Sequence, residues 1–276
     1  MPLARTAHQL QSNVPVLTAV LERRPPMARA VQEDLIIPEV SWPVIQQRLQ
    51  RMWTIQDAPH HSIMGQTRSG KSHLTRHGIL PTCAWDRVLF IDGKGDDPTI
   101  NGLGRVVSRF PSKLVRNQRK LMQDDEPGGN WFRLVTDVHF GIARDQVQEA
   151  LNRAFQEGDW VVVVDELRYV TDPREPGLNL SPEWEQIVLR GGSRGVGLIN
   201  LTQEPRWVRG SFYTQSSFYW FSRIEDEAAQ KRVSEVGSSR ALMTYLGKIP
   251  RRWWVYMDNL EDERFWALTT VTGRGM

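Results

Sequence analysis

Short apolar runs recur along the chain and alternate with stretches in which apolar residues return every three or four positions. The runs that read as buried strands are HHSIM (60–64), RVLFID (87–92), WFRLV (131–135), WVVVVDE (160–166), VGLINLTQ (196–203), SFYWFS (217–222) and RWWVYMD (252–258). Apolar strands of this kind, separated by helices, are typical of a parallel sheet with helices on both faces. The pattern therefore predicts an α/β fold with a mainly parallel sheet.

Capping residues mark where three of the helices should begin or end. Segment 41–53 is predicted to be a helix capped by Ser41, and segment 181–192 a helix capped by Ser181, each with a proline in its first turn. Segment 143–158 has an amphipathic pattern that closes at a glycine.

The N-terminal part of the chain has a different character. The stretch RRPPMARA at 23–30 would break any helix that began before it. We therefore predict a small N-terminal appendage, an arm and a helix at 1–57, followed by one larger domain at 58–276.

Composition narrows the class of protein. The 276 residues are 40% hydrophobic and 24% charged, as in ordinary globular domains, and no apolar run is long enough to predict a membrane span or a signal peptide. A single cysteine, Cys83, excludes an internal disulfide and favours a cytoplasmic compartment. His60 and His61 are adjacent and would point to opposite faces of a strand, so we do not expect a metal site there. A net charge of +3 is compatible with a polyanionic partner.

The loop after the first strand carries the clearest chemistry. It matches the P-loop pattern G-x-x-x-x-G-K-[ST] with Gly65, Gln66, Thr67, Arg68, Ser69, Gly70, Lys71 and Ser72, and His73 follows. In such a loop, backbone N–H groups at a helix N-terminus surround phosphates, a lysine reaches the β- and γ-phosphates, and a hydroxyl binds Mg²⁺. We therefore expect these nine residues to bind ATP, with Lys71 also acting in catalysis and Ser72 as a metal ligand.

A second pair of residues suggests hydrolysis. Four valines lead directly into Asp165 and Glu166, so both carboxylates should lie at the carboxyl edge of the sheet, where the P-loop lies. An aspartate in this place can hold Mg²⁺, and the following glutamate can act as the general base for the attacking water.

Four segments together resemble one family. SIMGQTRSGKS, VLFIDGKGDDP, VVVVDE and GVGLINLTQEP occur in the order and spacing of the FtsK/HerA superfamily of DNA-translocating ATPases, over residues 58–258. The resemblance implies a RecA-like P-loop NTPase core, a motor domain that hydrolyses ATP with Mg²⁺. It also implies that Lys94 lies near the nucleotide and that Gln203 senses the γ-phosphate or the water.

The sequence departs from that family at two places. Where the family often has Thr-Gln-Arg-Pro, this chain has Glu204 in place of the arginine, so the role of that arginine either passes to Arg206 or is missing. The family also supplies an arginine to the ATP of the neighbouring subunit, and Arg190 or Arg194 could do so here. Arg194 lies in a Gly-rich turn and is preferred, although each could instead be a cation at the end of a helix.

An arginine supplied to a neighbour implies a homo-oligomeric ring, hexameric or pentameric, through which double-stranded DNA would pass. Segments 116–120 and 171–180 are candidate DNA-facing loops. The chain reads as close to a bare motor domain, which favours a viral genome-packaging ATPase that depends on a capsid or membrane docking protein. Its place would be the host cytoplasm or the virion.

Two other functions stay open at this stage. One is a mobile-element or plasmid ATPase, used for DNA transfer or for assembling and remodelling proteins without pumping DNA. The other is a nucleotide switch with negligible turnover, against which Glu166 argues.

Overall fold

A single sheet organises the chain. The computed structural model describes residues 36–93, 95, 99–111, 130–174, 176–262 and 264–271. In these ranges the strands are β1 (His60–Met64), β2 (Arg87–Asp92), β3 (Arg105–Val107), β4 (Asn130–Val135), β5 (Val161–Val164), β6 (Gly197–Thr202), β7 (Ser216–Phe221), β8 (Trp253–Asp258) and β9 (Phe265–Thr270). Their order in the sheet is β3-β4-β2-β5-β6-β1-β7-β8-β9.

The first seven strands pair with one another in the parallel direction, as the apolar runs predicted. β8 pairs with β7 in the antiparallel direction, and β9 pairs with β8 likewise. β1 therefore lies inside the sheet, parallel to β6 on one side and to β7 on the other. Gln203, which follows β6, is therefore carried by the strand directly beside the P-loop strand.

Helices cover both faces of this sheet. They are α1 (Trp42–Met52), α2 (Lys71–His73), α3 (Phe140–Glu157), α4 (Leu167–Thr171), α5 (Ser181–Arg190), α6 (Gly210–Thr214), α7 (Glu227–Val236) and α8 (Leu242–Leu246). None of the helices in the described ranges is long and apolar enough to cross a membrane.

The side-chain alternation along β5 shows the two layers directly. Val162 and Val164 belong to one hydrophobic cluster, with side chains of α3, α5 and α7. Val161 and Val163 belong to a second cluster, with side chains of α1 and of the helix after the P-loop. Burial on both faces explains why this strand contains valines alone. Although α1 packs into the second cluster, the division of the chain at residue 57 stays a prediction.

Two capping predictions differ from the structure. Ser41 occupies the N-cap position of α1, but its side chain makes no capping hydrogen bond. Ser181 is the first residue of α5, and its hydroxyl donates to Thr171 O at 2.7 Å, so it joins α5 to the end of α4. The Ser181 hydroxyl thus donates to a carbonyl at the end of another helix, whereas the capping rule has it accept from a backbone N–H of its own helix.

The helix after the P-loop is not a regular α-helix. Three α-helical residues lead into a π-helix at Leu74–Ile79 and a short 3-10 turn at Leu80–Thr82. Gly78 faces the ring of Trp42, and a Cβ on that glycine would lie 2.9 Å from the indole. The helix thus packs closely against α1 just beyond the candidate site, and π-helical turns are frequent near functional sites.

His60 and His61 are buried and both take part in the core. Leu198 N donates to His60 Nδ1 at 3.2 Å, so His60 Nε2 carries the proton and donates to Val188 O at 3.3 Å. His61 Nδ1 accepts a hydrogen bond from Trp220 Nε1 at 3.2 Å. Burial lowers the pKa of His60 to about 4 and lowers that of His61 well below its usual value. Both imidazoles are therefore neutral structural groups at neutral pH.

This burial predicts a pH-dependent stability. Because the folded pKa of His60 lies below the unfolded one, protonation favours the unfolded chain, and stability is lost as the pH falls from about 6.5 towards 4. Over that window, His60 should contribute a loss of about 3 kcal/mol in the free energy of unfolding. Urea unfolding at several pH values would measure it. The H60Q variant should show a smaller pH slope, and an unchanged slope would contradict the assignment.

Candidate active site

The P-loop joins the end of β1 to α2 and folds around its own lysine. Lys71 is buried, and its Nζ donates to Gly65 O and Gln66 O, both at 2.9 Å. Ser69 N donates to Gln66 O at 3.2 Å, which tightens the turn. The ammonium group therefore lies inside the curve of the loop, where a phosphate chain would be surrounded by backbone N–H groups.

Both P-loop glycines are required by geometry. A Cβ on Gly65 would lie 1.9 Å from Ser222 Oγ, at the end of β7, so the loop approaches β7 too closely for a side chain. Gly70 has a φ of 94°, in the region that L side chains rarely adopt. The two positions that define the motif thus serve different purposes: one allows packing and the other allows a backbone turn.

Oxygen ligands for a divalent cation lie next to the loop. Ser72 Oγ donates to Asp165 Oδ1 at 3.4 Å, and Asp165 is buried at the end of β5. A hydroxyl and a carboxylate oxygen are the hard ligands that Mg²⁺ prefers, and the ion usually completes its shell with water and substrate phosphates. These two residues therefore fit the cation that the sequence predicted.

Glu166 lies at the start of α4 and its carboxylate faces the end of β6. Oε1 accepts hydrogen bonds from Thr202 Oγ1 at 3.0 Å and from Arg168 N at 3.4 Å, while Oε2 accepts one from Gln203 N at 3.0 Å. Burial raises the pKa of Glu166, and these hydrogen bonds together with the charge of Lys71 oppose the rise. A carboxylate with a raised pKa is a stronger base, as a proton acceptor requires.

Gln203 connects the strand end to the P-loop. Thr67 Oγ1 donates to Gln203 Oε1 at 2.6 Å, and Gly65 N donates to Thr202 O at 3.2 Å. Gln203 is therefore joined to the loop through its side-chain amide and to Glu166 through its backbone N–H. The structure brings together Lys71, Ser72, Asp165, Glu166 and Gln203 at one edge of the sheet, as the sequence predicted.

Glu204, which follows Gln203, has a local partner. The Glu204 carboxylate pairs with the Arg168 guanidinium, which also binds Asp172 at 3.1 Å. Arg168, Glu166 and Gln203 line the same cleft, of about 290 Å³. The guanidinium beside Gln203 therefore comes from α4. Arg206 instead pairs with Asp226 at 3.4 Å.

Comparison with known proteins gives no match in sequence but a clear one in fold. No protein-family model matches the chain, and no curated protein matches it. The genome-packaging NTPase B204 from Sulfolobus turreted icosahedral virus 2, in complex with sulfate, has a TM-score of 0.57 at 14% identity, over 76% of this chain and 96% of that one. The DNA-packaging ATPase B204 from Sulfolobus Turreted Icosahedral Virus has a TM-score of 0.53 at 17% identity, over 77% of this chain and 98% of that one. VirB4 of Thermoanaerobacter pseudethanolicus has a TM-score of 0.50 at 12% identity, over 78% of this chain and 90% of that one.

This chain has a RecA-like P-loop NTPase fold. At these identities the similarity establishes the shared architecture, including the sheet that presents the P-loop at its carboxyl edge.

Within this P-loop NTPase fold, the two candidate trans arginines lie at the other edge of the sheet, because they precede β6. Arg194 Nη1 donates to Gln156 O at 3.3 Å, and its guanidinium lies 4.7 Å from the ring of Phe155, so it caps the end of α3 in its own chain. Arg190 ends α5 and is exposed. A role for either arginine in a neighbouring subunit stays a prediction.

The remaining predicted residues lie close to the loop or outside the described ranges. Arg68 is exposed at the tip of the P-loop, with a φ of 63°. The imidazole of His73 lies 4.6 Å from that of His77. Lys94 and the segment 116–120 lie outside the described residues, as does Glu175 of the loop 171–180.

Two neighbours of the site, Ser222 and Arg168, were not predicted from the sequence. Ser222 follows β7 and touches the P-loop only because β7 lies beside β1. Arg168 lies two residues after Glu166, and its pairing with Glu204 could have been inferred only from the adjacency of β5 and β6.

The contact between Gly65 and Ser222 predicts a specific pair of mutants. Gly65→Ala should lower the free energy of unfolding by about 1–3 kcal/mol, because the new methyl group overlaps Ser222 Oγ. Adding Ser222→Ala removes that oxygen and should recover part of the loss. Chemical denaturation of the parent, the two single variants and the double variant would measure the coupling, and additive effects would argue against the contact.

Proposed function

We propose that this chain is a Mg²⁺-dependent ATPase that assembles as a homo-oligomeric ring and translocates double-stranded DNA, as in viral genome packaging. The observation that carries the proposal is the meeting of Lys71, Ser72–Asp165, Glu166 and Gln203 at one sheet edge. The fold of the viral B204 packaging NTPase, which is similar over most of both chains, supports it.

The proposed roles follow from the contacts. Lys71 would exchange its bonds to Gly65 O and Gln66 O for phosphate oxygens, which carry charge opposite to its own. Ser72 and Asp165 would hold Mg²⁺, and the cation would neutralise charge on the β- and γ-phosphates. Their oxygens lie 3.4 Å apart, so one cation could contact both.

Glu166 would orient the attacking water and take its proton. A carboxylate oxygen can accept two hydrogen bonds. Among the described residues Oε2 accepts one, from Gln203 N, so this oxygen can still bind a water. Gln203, tied to Thr67 of the P-loop, is placed to respond when the γ-phosphate is present or absent.

A second candidate function is an ATPase of a mobile element or plasmid, used for DNA transfer or for assembling and remodelling proteins without pumping DNA. The similarity to VirB4 favours it. Both functions require the same ATP site, and they differ in whether long DNA stimulates hydrolysis. In the packaging function, a capsid or membrane docking protein would position the ring.

The ATP site and the DNA dependence can be tested together. ATP hydrolysis by the parent protein should require Mg²⁺ and should rise when long double-stranded DNA is added. Lys71→Ala should lose nucleotide binding. Glu166→Gln should still bind ATP but hydrolyse it about 10² to 10⁴ times more slowly, because an amide cannot accept the proton. Equal hydrolysis with and without DNA would favour the remodelling function, and normal ATP affinity in Lys71→Ala would overturn the P-loop assignment.

A mixing experiment tests the ring and the trans arginine. Arg194→Ala should bind ATP but hydrolyse it about 10³ to 10⁵ times more slowly if Arg194 serves a neighbouring site. Glu166→Gln subunits keep the arginine, and Arg194→Ala subunits keep an intact base, so mixed rings should recover activity that neither variant shows alone.

Arg190→Ala provides the matched comparison. Because Arg194 also caps α3, its variant should lose some thermal stability, whereas Arg190→Ala should not. If ATP hydrolysis recovers when Glu166→Gln is mixed with Arg190→Ala but not when it is mixed with Arg194→Ala, the trans role belongs to Arg190. No recovery with either, in rings shown to be mixed, would exclude both.

A further inference from the structure

The order of the strands gives the candidate site a direction. Glu166 and Gln203 follow β5 and β6, which lie on one side of β1. The γ-phosphate of a nucleotide in the P-loop would face that side, because the proton acceptor Glu166 and the side-chain amide of Gln203 are there. The nucleoside end would then extend away from β6, towards the side of β1 that carries β7 and β8.

Arg252 lies on that opposite side, at the same edge of the sheet. It immediately precedes β8, and because β8 is antiparallel to β7, its first residues lie beside the carboxyl end of β7. Arg252 Cγ is 4.0 Å from the position that a Cβ on Gly70 would occupy. The side chain is exposed and lies against the outer surface of the P-loop, one residue before Lys71.

Gly70 is the N-cap of the helix after the P-loop. The contact with Gly70 therefore places Arg252 beside the first turn of that helix. Backbone N–H groups of this part of a P-loop surround the α- and β-phosphates.

The backbone that carries Arg252 is strained. Trp253 N donates to Pro250 O at 3.1 Å, closing a four-residue turn in which Arg252 is the third residue and has a φ of 65°. Glycine or asparagine normally occupies a position with positive φ in such a turn. Thr270 Oγ1 donates to Arg252 O at 3.0 Å and helps to hold the turn. An arginine in a conformation that favours glycine is what a functional requirement on the side chain would produce.

We propose that Arg252 binds the α-phosphate of the nucleotide held in the P-loop. The inference rests on the proposed function, since it requires a nucleotide in that loop. Lys71 would serve the β- and γ-phosphates from inside the loop, and Arg252 would approach the α-phosphate from outside. A guanidinium can make two parallel hydrogen bonds to one phosphate, which fixes orientation as well as affinity.

The test measures the affinity of purified protein for ATP, ADP and GTP. Arg252→Gly should weaken all three by the same factor, about 10-fold, as expected for one lost hydrogen bond between charged groups. It should also raise the thermal midpoint by about 2–4 °C, because glycine relieves the positive φ. Arg251→Gly in the same turn is the matched control and should leave all three affinities unchanged.

Other outcomes would overturn the assignment. Weaker binding of ATP with unchanged ADP would place Arg252 on the γ-phosphate. A changed ratio of ATP to GTP affinity would place Arg252 at the nucleobase. If Arg252→Gly binds all three nucleotides with unchanged affinity while Lys71→Ala binds none of them, Arg252 has no role in the site. If the parent protein binds none of the three nucleotides, the proposed function itself fails.

Discussion

The parallel pairing of β1 with β6 is the constraint on which the candidate site depends. Met64 lies opposite Thr202 in this ladder, so the two strands end at the same level. The P-loop and Gln203 therefore emerge side by side, and the Thr67–Gln203 hydrogen bond links them. β5 pairs with the other side of β6, which brings Glu166 within reach of Thr202 and Gln203. A one-residue shift in either ladder would turn every following side chain to the opposite face.

The charges at this edge are arranged so that buried groups have partners. Lys71 is buried but its ammonium has two backbone acceptors, and Glu166 is held by two backbone donors and one hydroxyl. Burying such groups without partners would cost several kcal/mol each. The same bonds can be exchanged for phosphate oxygens or a water when a nucleotide binds.

The pair formed by Glu204 and Arg168 joins the ends of two neighbouring strands. The Glu204 carboxylate, which follows β6, pairs with the Arg168 guanidinium, which follows β5, so a guanidinium lies in the cleft with Gln203. This partly exposed pair contributes little to stability by itself. The position of this pair matters more for the site. The backbone N–H of Arg168 donates to Glu166, and Glu204 directly follows Gln203, so the pair joins the two segments that carry these residues.

Sequence alone determined the fold class, most of the strands and the residues of the P-loop and acidic pair. These features depend on local patterns: apolar runs that require burial on both faces, a glycine-rich loop after a strand, and carboxylates that end a strand. Sequence did not give the cap contact of Ser181, the short strand β3 or the antiparallel direction of β9, since each depends on a partner distant in the chain. The helix α7 was not predicted either, although its cap is local: Asp226 accepts a hydrogen bond from Ala229 N. Only the tertiary structure decided that Ser222 lies too close to position 65 for an unstrained side chain there, that Arg194 caps α3, and that Arg252 lies against Gly70. Those contacts follow from the order of strands in the sheet, and a linear pattern of apolar and polar residues carries no information about which strands become neighbours.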